Sequence, residues 1–203
     1  MSVRDRYRTI DKKAEGTFRD RGSKFLAFAF PVHSVEEIKS ILEDLRREYH
    51  DARHHCYAYR LGAAKDEFRA NDDGEPSSSA GKPILGQIQS LDLSNILVVV
   101  VRYFGGTLLG VGGLINAYRS AAADALQKAR IVEGVERDPV TILFPYALTK
   151  DIMKIVEEEK IKIMAQDYTD TCRLEGRVPR SRVKEALCRI NKLPGARAER
   201  LDA

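Results

Sequence analysis

One uninterrupted passage constrains this chain most. The apolar run Ile96 to Val101 leads directly into Phe104-Gly105-Gly106-Thr107-Leu108-Leu109-Gly110-Val111-Gly112-Gly113, and then into an alanine-rich segment over 114–130. A run without polar alternation predicts a strand over 95–103 that is covered on both faces. The alanines predict a helix. Strand, glycine loop and helix therefore follow one another without a linker. The apolar run has six residues and none in the chain is longer, far short of the roughly 20 that a membrane-spanning helix needs.

Upstream, Asp20-Arg21-Gly22-Ser23 supplies turn chemistry between a mixed segment over 7–18 and the aromatic run Phe25 to Phe30, which predicts a hairpin. Ser34-Val35-Glu36-Glu37 is a capping box. The helix it opens runs to Tyr49, with Val35, Ile38, Ile41, Leu42, Leu45 and Tyr49 on its packed face and Lys39, Glu43, Arg46 and Arg47 toward water. A strand is expected over 55–61, and then a long polar loop over 62–81. A short helix over 83–91 follows, with Pro83 in its first turn.

With 203 residues and 43% apolar content, the chain can bury one large core or two modest ones. Gly134 to Pro139 breaks the pattern, so the expected domains are 1–136 and 137–203 of an α+β protein. The second reads strand to 146, helix over 149–159, strands over 161–168 and 171–178, helix over 181–193 and strand over 196–201. That βαββαβ order is the ferredoxin-like arrangement. Segment 1–13 carries four arginines or lysines before position 13 but no apolar signal-peptide core, so a cytoplasmic protein is expected. Cys56, Cys172 and Cys188 have no C-x-x-C spacing and read as reduced thiols. The 34 basic and 30 acidic residues leave a net charge of +4, too small an excess for coating nucleic acid by charge alone.

Asp51-Ala52-Arg53-His54-His55-Cys56, Asp72-Asp73-Gly74-Glu75-Pro76, Ala80-Gly81-Lys82-Pro83 and Val99-Val100-Val101-Arg102-Tyr103-Phe104-Gly105-Gly106 through Gly113-Leu114 stand in this order. Together they resemble the signature blocks of the YigZ/IMPACT family. Ser78-Ser79 departs from the glycine and threonine that relatives often carry before Ala80. The resemblance covers most of residues 1–135, and the tail is similar to the second domain of bacterial members. It implies an N-terminal domain like the second domain of small-subunit ribosomal protein five. It also implies a theme of translation: eukaryotic members restrain a translation-initiation-factor kinase that senses amino-acid starvation. The two folds together look like the pair in elongation factor G that works against ribosomal RNA.

Several residues carry candidate chemistry. Gly105, Gly106, Gly112 and Gly113 let backbone amides converge on a phosphate at a helix start, or else allow tight packing of helix on strand. The loop lacks the G-K-[ST] ending of a P-loop. Arg102 and Lys82, with Arg53, make an anion pocket in one reading; in another, compatible with it, Arg102 pairs with the acidic loop and ties it down. Asp72, Asp73 and Glu75 have the density for Mg²⁺ or acid–base work, but Gly74 and Pro76 mark an ordinary turn, the favoured reading. His54 and His55, as strand neighbours, point to opposite faces and suit one anion contact better than a shared metal. No nucleophile elbow surrounds Ser77 to Ser79. Arg173, Arg177, Arg180 and Arg182 are candidate RNA contacts, and a solvated sheet face is the alternative for that stretch.

The expected function is a non-enzymatic, translation-associated regulator or RNA/ribosome-binding protein with an anion-binding cleft. Its partners would be RNA, the ribosome or a translation regulator protein. The alternative is an enzyme acting on a phosphorylated or nucleotide-like small molecule. No cofactor, metal or membrane is expected, and the oligomeric state is left open.

Overall fold

A computed structural model describes residues 5–169 and 171–201. The chain divides into two units, one over 7–134 and the other formed by residues from 135 onward together with Asp5 and Arg6. The division thus falls two residues before the expected boundary. Within the segment expected to break the pattern, strands run nearly without pause: β7 (Ile131–Val135) is followed by β8 (Arg137–Pro145). β7 pairs with β1 (Arg6–Ile10) in a two-stranded sheet.

The N-terminal unit is a five-stranded antiparallel sheet in the order β2-β3-β6-β4-β5. β2 (Ala14–Asp20) and β3 (Ser23–Pro31) form the expected hairpin, with Asp20 opposite Ser23. Arg21 and Gly22 turn it with φ of 44° and 79°, the left-handed pair that matches strand twist. β6 (Ile96–Tyr103) is central and buried along nearly its whole length. Its alternate residues serve two cores. Leu97, Val99 and Val101 pack with Phe28, Tyr57 and Tyr59 under Ile38, Leu42 and Leu45 of α1 (Val35–Glu48). Ile96, Val98 and Val100 pack with Cys56 and Ala58 of β4 (His54–Leu61), α2 (Gly81–Ser90) and α3 (Gly110–Lys128). Each fully buried aliphatic side chain contributes about 1.5 to 3 kcal/mol. Ser34 caps α1, its Oγ accepting from the Glu37 amide at 3.3 Å. The Glu37 carboxylate takes the His33 amide at 2.7 Å, one residue ahead of the cap.

Two expectations about this unit are corrected. The polar stretch 62–81 is not structureless, because β5 (Glu67–Asn71) pairs with β4 from Leu61 opposite Glu67 to Tyr57 opposite Asn71. As an edge strand with mostly exposed side chains, it leaves no apolar alternation to read. α3 starts at Gly110 rather than Leu114, so Gly112 and Gly113 lie in its first turn and not in a loop.

The C-terminal unit places β8, α4 (Thr149–Glu158), β9 (Lys162–Asp167), β10 (Thr171–Pro179), α5 (Val183–Asn191) and β11 (Arg197–Arg200) in that order along the chain. The antiparallel sheet runs β11-β8-β10-β9. Val140, Ile142 and Phe144 of β8 and Leu174 and Val178 of β10 pack with Ile152, Ile155 and Val156 of α4 and Val183, Ala186 and Ile190 of α5. No described helix is long and apolar enough to cross a membrane.

Candidate functional site

The acidic loop that joins β5 to α2 is built by its own carboxylates. Asp72 accepts from the amides of Ser78 (2.8 Å), Ala80 (3.0 Å) and Gly81 (2.8 Å), so it caps α2 from across the loop. Burial pushes its carboxyl up, yet the Gly81, Ser78 and Ala80 amides together hold it below the usual range. Asp73 and Gly74 turn with φ of 42° and 88°. The Asp73 carboxylate accepts the His55 amide at 2.7 Å and faces Arg46 at 3.4 Å. His54 Nδ1 lies 2.8 Å from the Asp73 carbonyl. A carbonyl only accepts, so Nδ1 carries the hydrogen.

Glu75 is the centre of a buried network. Its Oε1 takes Arg102 Nη1 at 2.5 Å and the Tyr118 hydroxyl at 2.8 Å, and the Arg102 and Glu75 side chains are only 7% and 4% exposed. Cys56 Sγ lies 3.0 Å from the Asp72 carbonyl and 3.3 Å from the Tyr118 hydroxyl. Burial pushes the Cys56 thiol and the Tyr118 phenol up, which favours the neutral form of both. The Arg102 guanidinium sits 5.6 Å from the Phe25 ring centre and 5.7 Å from that of Phe104. The structure thus ties Arg102 to the acidic loop, and the tie leaves its edge on a cleft.

That cleft, of about 650 Å³, gathers Arg53, His54 and Arg102 with Asp51, Tyr103, Phe104 and Leu108. Tyr103 donates to Asp51 at 2.8 Å. Arg53 is exposed and makes no ion pair among the described residues. Phe104 and Leu108 are 55% and 81% exposed, large apolar side chains that the reading of the glycine loop passed over, although both stand inside it.

The other expected residues lie elsewhere. Lys82 is exposed in the first turn of α2 and does not line the cleft. Gly105 packs against the hairpin turn: a Cβ there would stand 1.9 Å from the Gly22 carbonyl carbon. Its amide donates to Ser23 Oγ at 3.1 Å. Gly106 is exposed with φ 86°, and Gly112 and Gly113 are helical. His55 is buried with Nε2 unpartnered, and burial lowers its pKa. The Asp73 and Glu75 carboxylates tie the loop to β4, α1, β6 and α3. No group of His, Cys, Asp and Glu among the described residues has metal-holding geometry.

The arginines of the C-terminal unit are mostly paired. Arg173 meets Glu175 at 2.7 Å. Arg180 meets Glu136 at 2.9 Å and Asp138 at 3.1 Å. Arg182 donates to the Glu158 carbonyl at 2.8 Å, with Glu159 at 3.6 Å. Arg177 is exposed on β10, its side chain unpaired among the described residues.

Residues 21–126 match the family model described as the Impact N-terminal domain. The chain belongs to the YigZ/IMPACT family. It is similar to the IMPACT family member YigZ of Escherichia coli (strain K12), 35% identical over 165 residues that make up 80% of this chain and 81% of that protein. Similarity to Protein IMPACT of Oryctolagus cuniculus is 36% over 94 residues, 45% of this chain and 30% of that protein. A crystal structure described as that of an hypothetical protein aligns over 98% of this chain and 99% of its own, at 28% identity with a TM-score of 0.73. The segment matched by the IMPACT family model holds every residue of the cleft and of the Glu75 network. Arg173, Arg177, Arg180 and Arg182 fall outside it.

Proposed function

We propose that this IMPACT family chain is a non-enzymatic, translation-associated regulator that binds a partner through the cleft of its N-terminal unit. The observation that carries this reading is the division of labour around Glu75. Asp72, Asp73 and Glu75 are all bonded within the loop or to the elements beside it, which engages these three carboxylates in holding the structure. Beside them, unpaired Arg53 stands in one cleft with exposed Phe104 and Leu108. An exposed arginine next to an aromatic ring suits an anionic partner group flanked by something flat or apolar. RNA, the ribosome and a translation regulator protein all offer such groups.

Translation enters through the family resemblance, because eukaryotic members restrain a translation-initiation-factor kinase. The βαββαβ order and the sheet order of the C-terminal unit support its ferredoxin-like reading. Likeness of the N-terminal unit to the second domain of ribosomal protein five, and a cytoplasmic location, belong to the same proposal.

Sedimentation with purified ribosomes at low salt tests it. The wild-type chain should co-sediment, and Arg53→Glu and Phe104→Ser should each release it, since neither side chain supports the core. A chain that stays at the top of the gradient, and whose melting temperature instead rises saturably with one phosphorylated metabolite, would make the small-molecule enzyme the better account.

A further inference from the structure

The C-terminal unit holds a concavity of about 300 Å³ lined by Arg6, Arg137, Lys160 and Arg182, with Asp5 and Ser181. Its carboxylate is already engaged, since Asp5 accepts from Ser181 Oγ at 2.5 Å and from the Ser181 amide at 3.3 Å. Burial pushes the Asp5 carboxyl up, but these hydrogen bonds, with Arg6 nearby, hold it below the usual range. Arg137 Nη1 donates to the carbonyls of Lys160 (2.6 Å) and Arg177 (3.3 Å) and meets no carboxylate among the described residues. Those bonds fix the guanidinium without neutralising it. Arg6 and Lys160 are exposed, and neither is ion-paired among the described residues. Glu159 offsets Arg182 only at 3.6 Å and is itself bonded to Arg189 at 2.5 Å. Glu136 and Asp138 are committed to Arg180.

The contrast within the unit is what points to a ligand. Arg173, Arg180 and Arg189 each have a carboxylate within about 3 Å, whereas this concavity gathers four cations around one engaged acid. Like charges held together raise the local potential and draw counter-charge. Guanidinium groups, here those of Arg6, Arg137 and Arg182, favour phosphate, whose oxygens they can fork. The volume sits at the low end for ligand sites, so it accommodates a phosphate group and little more. We propose that Arg6, Arg137, Lys160 and Arg182 form a binding site for a phosphate group, whether on a small ester or on an RNA backbone. The site is independent of the reading given to the cleft.

The test uses the full chain and two probes: fluorescence anisotropy with a labelled short single-stranded RNA across a salt series, and the melting temperature with added inorganic pyrophosphate. The variant is Arg6→Gln with Lys160→Asn; asparagine tolerates the left-handed backbone of Lys160, φ 56°. The variant should melt as the wild type does without probe. With RNA it should bind about tenfold more weakly or worse at low salt, and the salt slope should shrink by about 1.4, two phosphates at about 0.7 each. With pyrophosphate the rise in melting temperature should disappear. Response to RNA alone assigns the site to a polymer backbone, and response to pyrophosphate alone to a small ester. If the double variant melts early, Lys160→Asn alone should show half the change in slope. A wild-type chain that responds to neither probe, or variants that bind as the wild type does, would overturn the proposal. So would an equal loss in Lys150→Gln with Lys154→Gln, two exposed cations of α4, since the charge would then act diffusely.

Discussion

The two units differ in whether an ion pair buries its arginine. In the N-terminal unit, Arg102, Glu75, Tyr118 and Cys56 are buried and bonded to one another, and the loop they hold carries carboxylates that accept backbone amides. In the C-terminal unit the arginine of each ion pair stays well exposed, whether its carboxylate is exposed, as in Glu175 and Glu199, or buried, as in Asp138 and Glu159. Desolvation makes the difference energetic. A buried charge depends on its partner, while an exposed one falls back on water. The N-terminal network should therefore act as a structural clamp beside the cleft, and the C-terminal pairs as a neutral background against which unpaired cations stand out.

Removing one member of the buried pair should have the largest effect. Glu75→Gln leaves the Arg102 charge at 7% exposure without its counter-ion, and breaking such a pair costs about 3 to 5 kcal/mol. Urea unfolding measures it. A decrease of less than about 1 kcal/mol, the level of a surface pair, would erase the contrast between the units. Arg102→Lys sharpens it: lysine keeps the charge but loses the planar fork between Phe25 and Phe104.

The glycines divide next. Gly105→Ala would push a Cβ to 1.9 Å from the Gly22 carbonyl carbon and 2.2 Å from the Ser23 nitrogen, both backbone atoms. Neither can rotate away, so the variant should be destabilised by about 1 to 3 kcal/mol. At Gly112 nothing lies within 4 Å of the added atom. There alanine should be neutral or add up to about 1 kcal/mol of stability from helix propensity. Thermal melts of the two variants side by side separate a glycine needed for close approach from one that merely precedes Leu114. Equal destabilisation would show that the first turn of α3 is not an open helix.

What the sequence revealed follows from range. α1 was legible because its cap and its apolar face are set within a few residues, and β6 because burial on both faces leaves an unbroken apolar run. The order of elements in the C-terminal unit was legible for the same local reasons. β5 was hidden, since an exposed edge strand pairs through its backbone and needs no pattern in its side chains. The start of α3 was hidden by glycines whose low propensity argues for a loop, although Leu109 and Leu114 bury against the core and hold the turn. At the site, Arg102 and the acidic loop could be matched by charge alone. The choice of Glu75, the capping of α2 by Asp72, and the pairing of Arg180 with Asp138 across 42 positions require the fold. For that reason a run of arginines that reads as a basic stretch becomes, once folded, mostly a set of ion pairs.

The smallest effect is expected where the sequence reading placed RNA. Arg173 and Glu175 are neighbours on one face of β10, both well exposed and 2.7 Å apart. Exposed pairs contribute about 0.2 to 1 kcal/mol, so Arg173→Ala should leave the urea midpoint nearly unchanged. Its effect on binding should be small too, because the carboxylate beside Arg173 already competes for the charge that a phosphate would need. Arg177 has no such competitor, and Arg173→Ala with Arg177→Ala separates the two positions from the concavity around Lys160. If RNA lies on the sheet face, the salt slope should fall by about 1.4 in this double variant, at about 0.7 for each phosphate no longer neutralised. If the phosphate sits among Arg6, Arg137, Lys160 and Arg182, the fall should be well below that of Arg6→Gln with Lys160→Asn. An equal or larger fall from the sheet pair would move the RNA to β10 and show that ion pairing at the surface does not silence an arginine toward it.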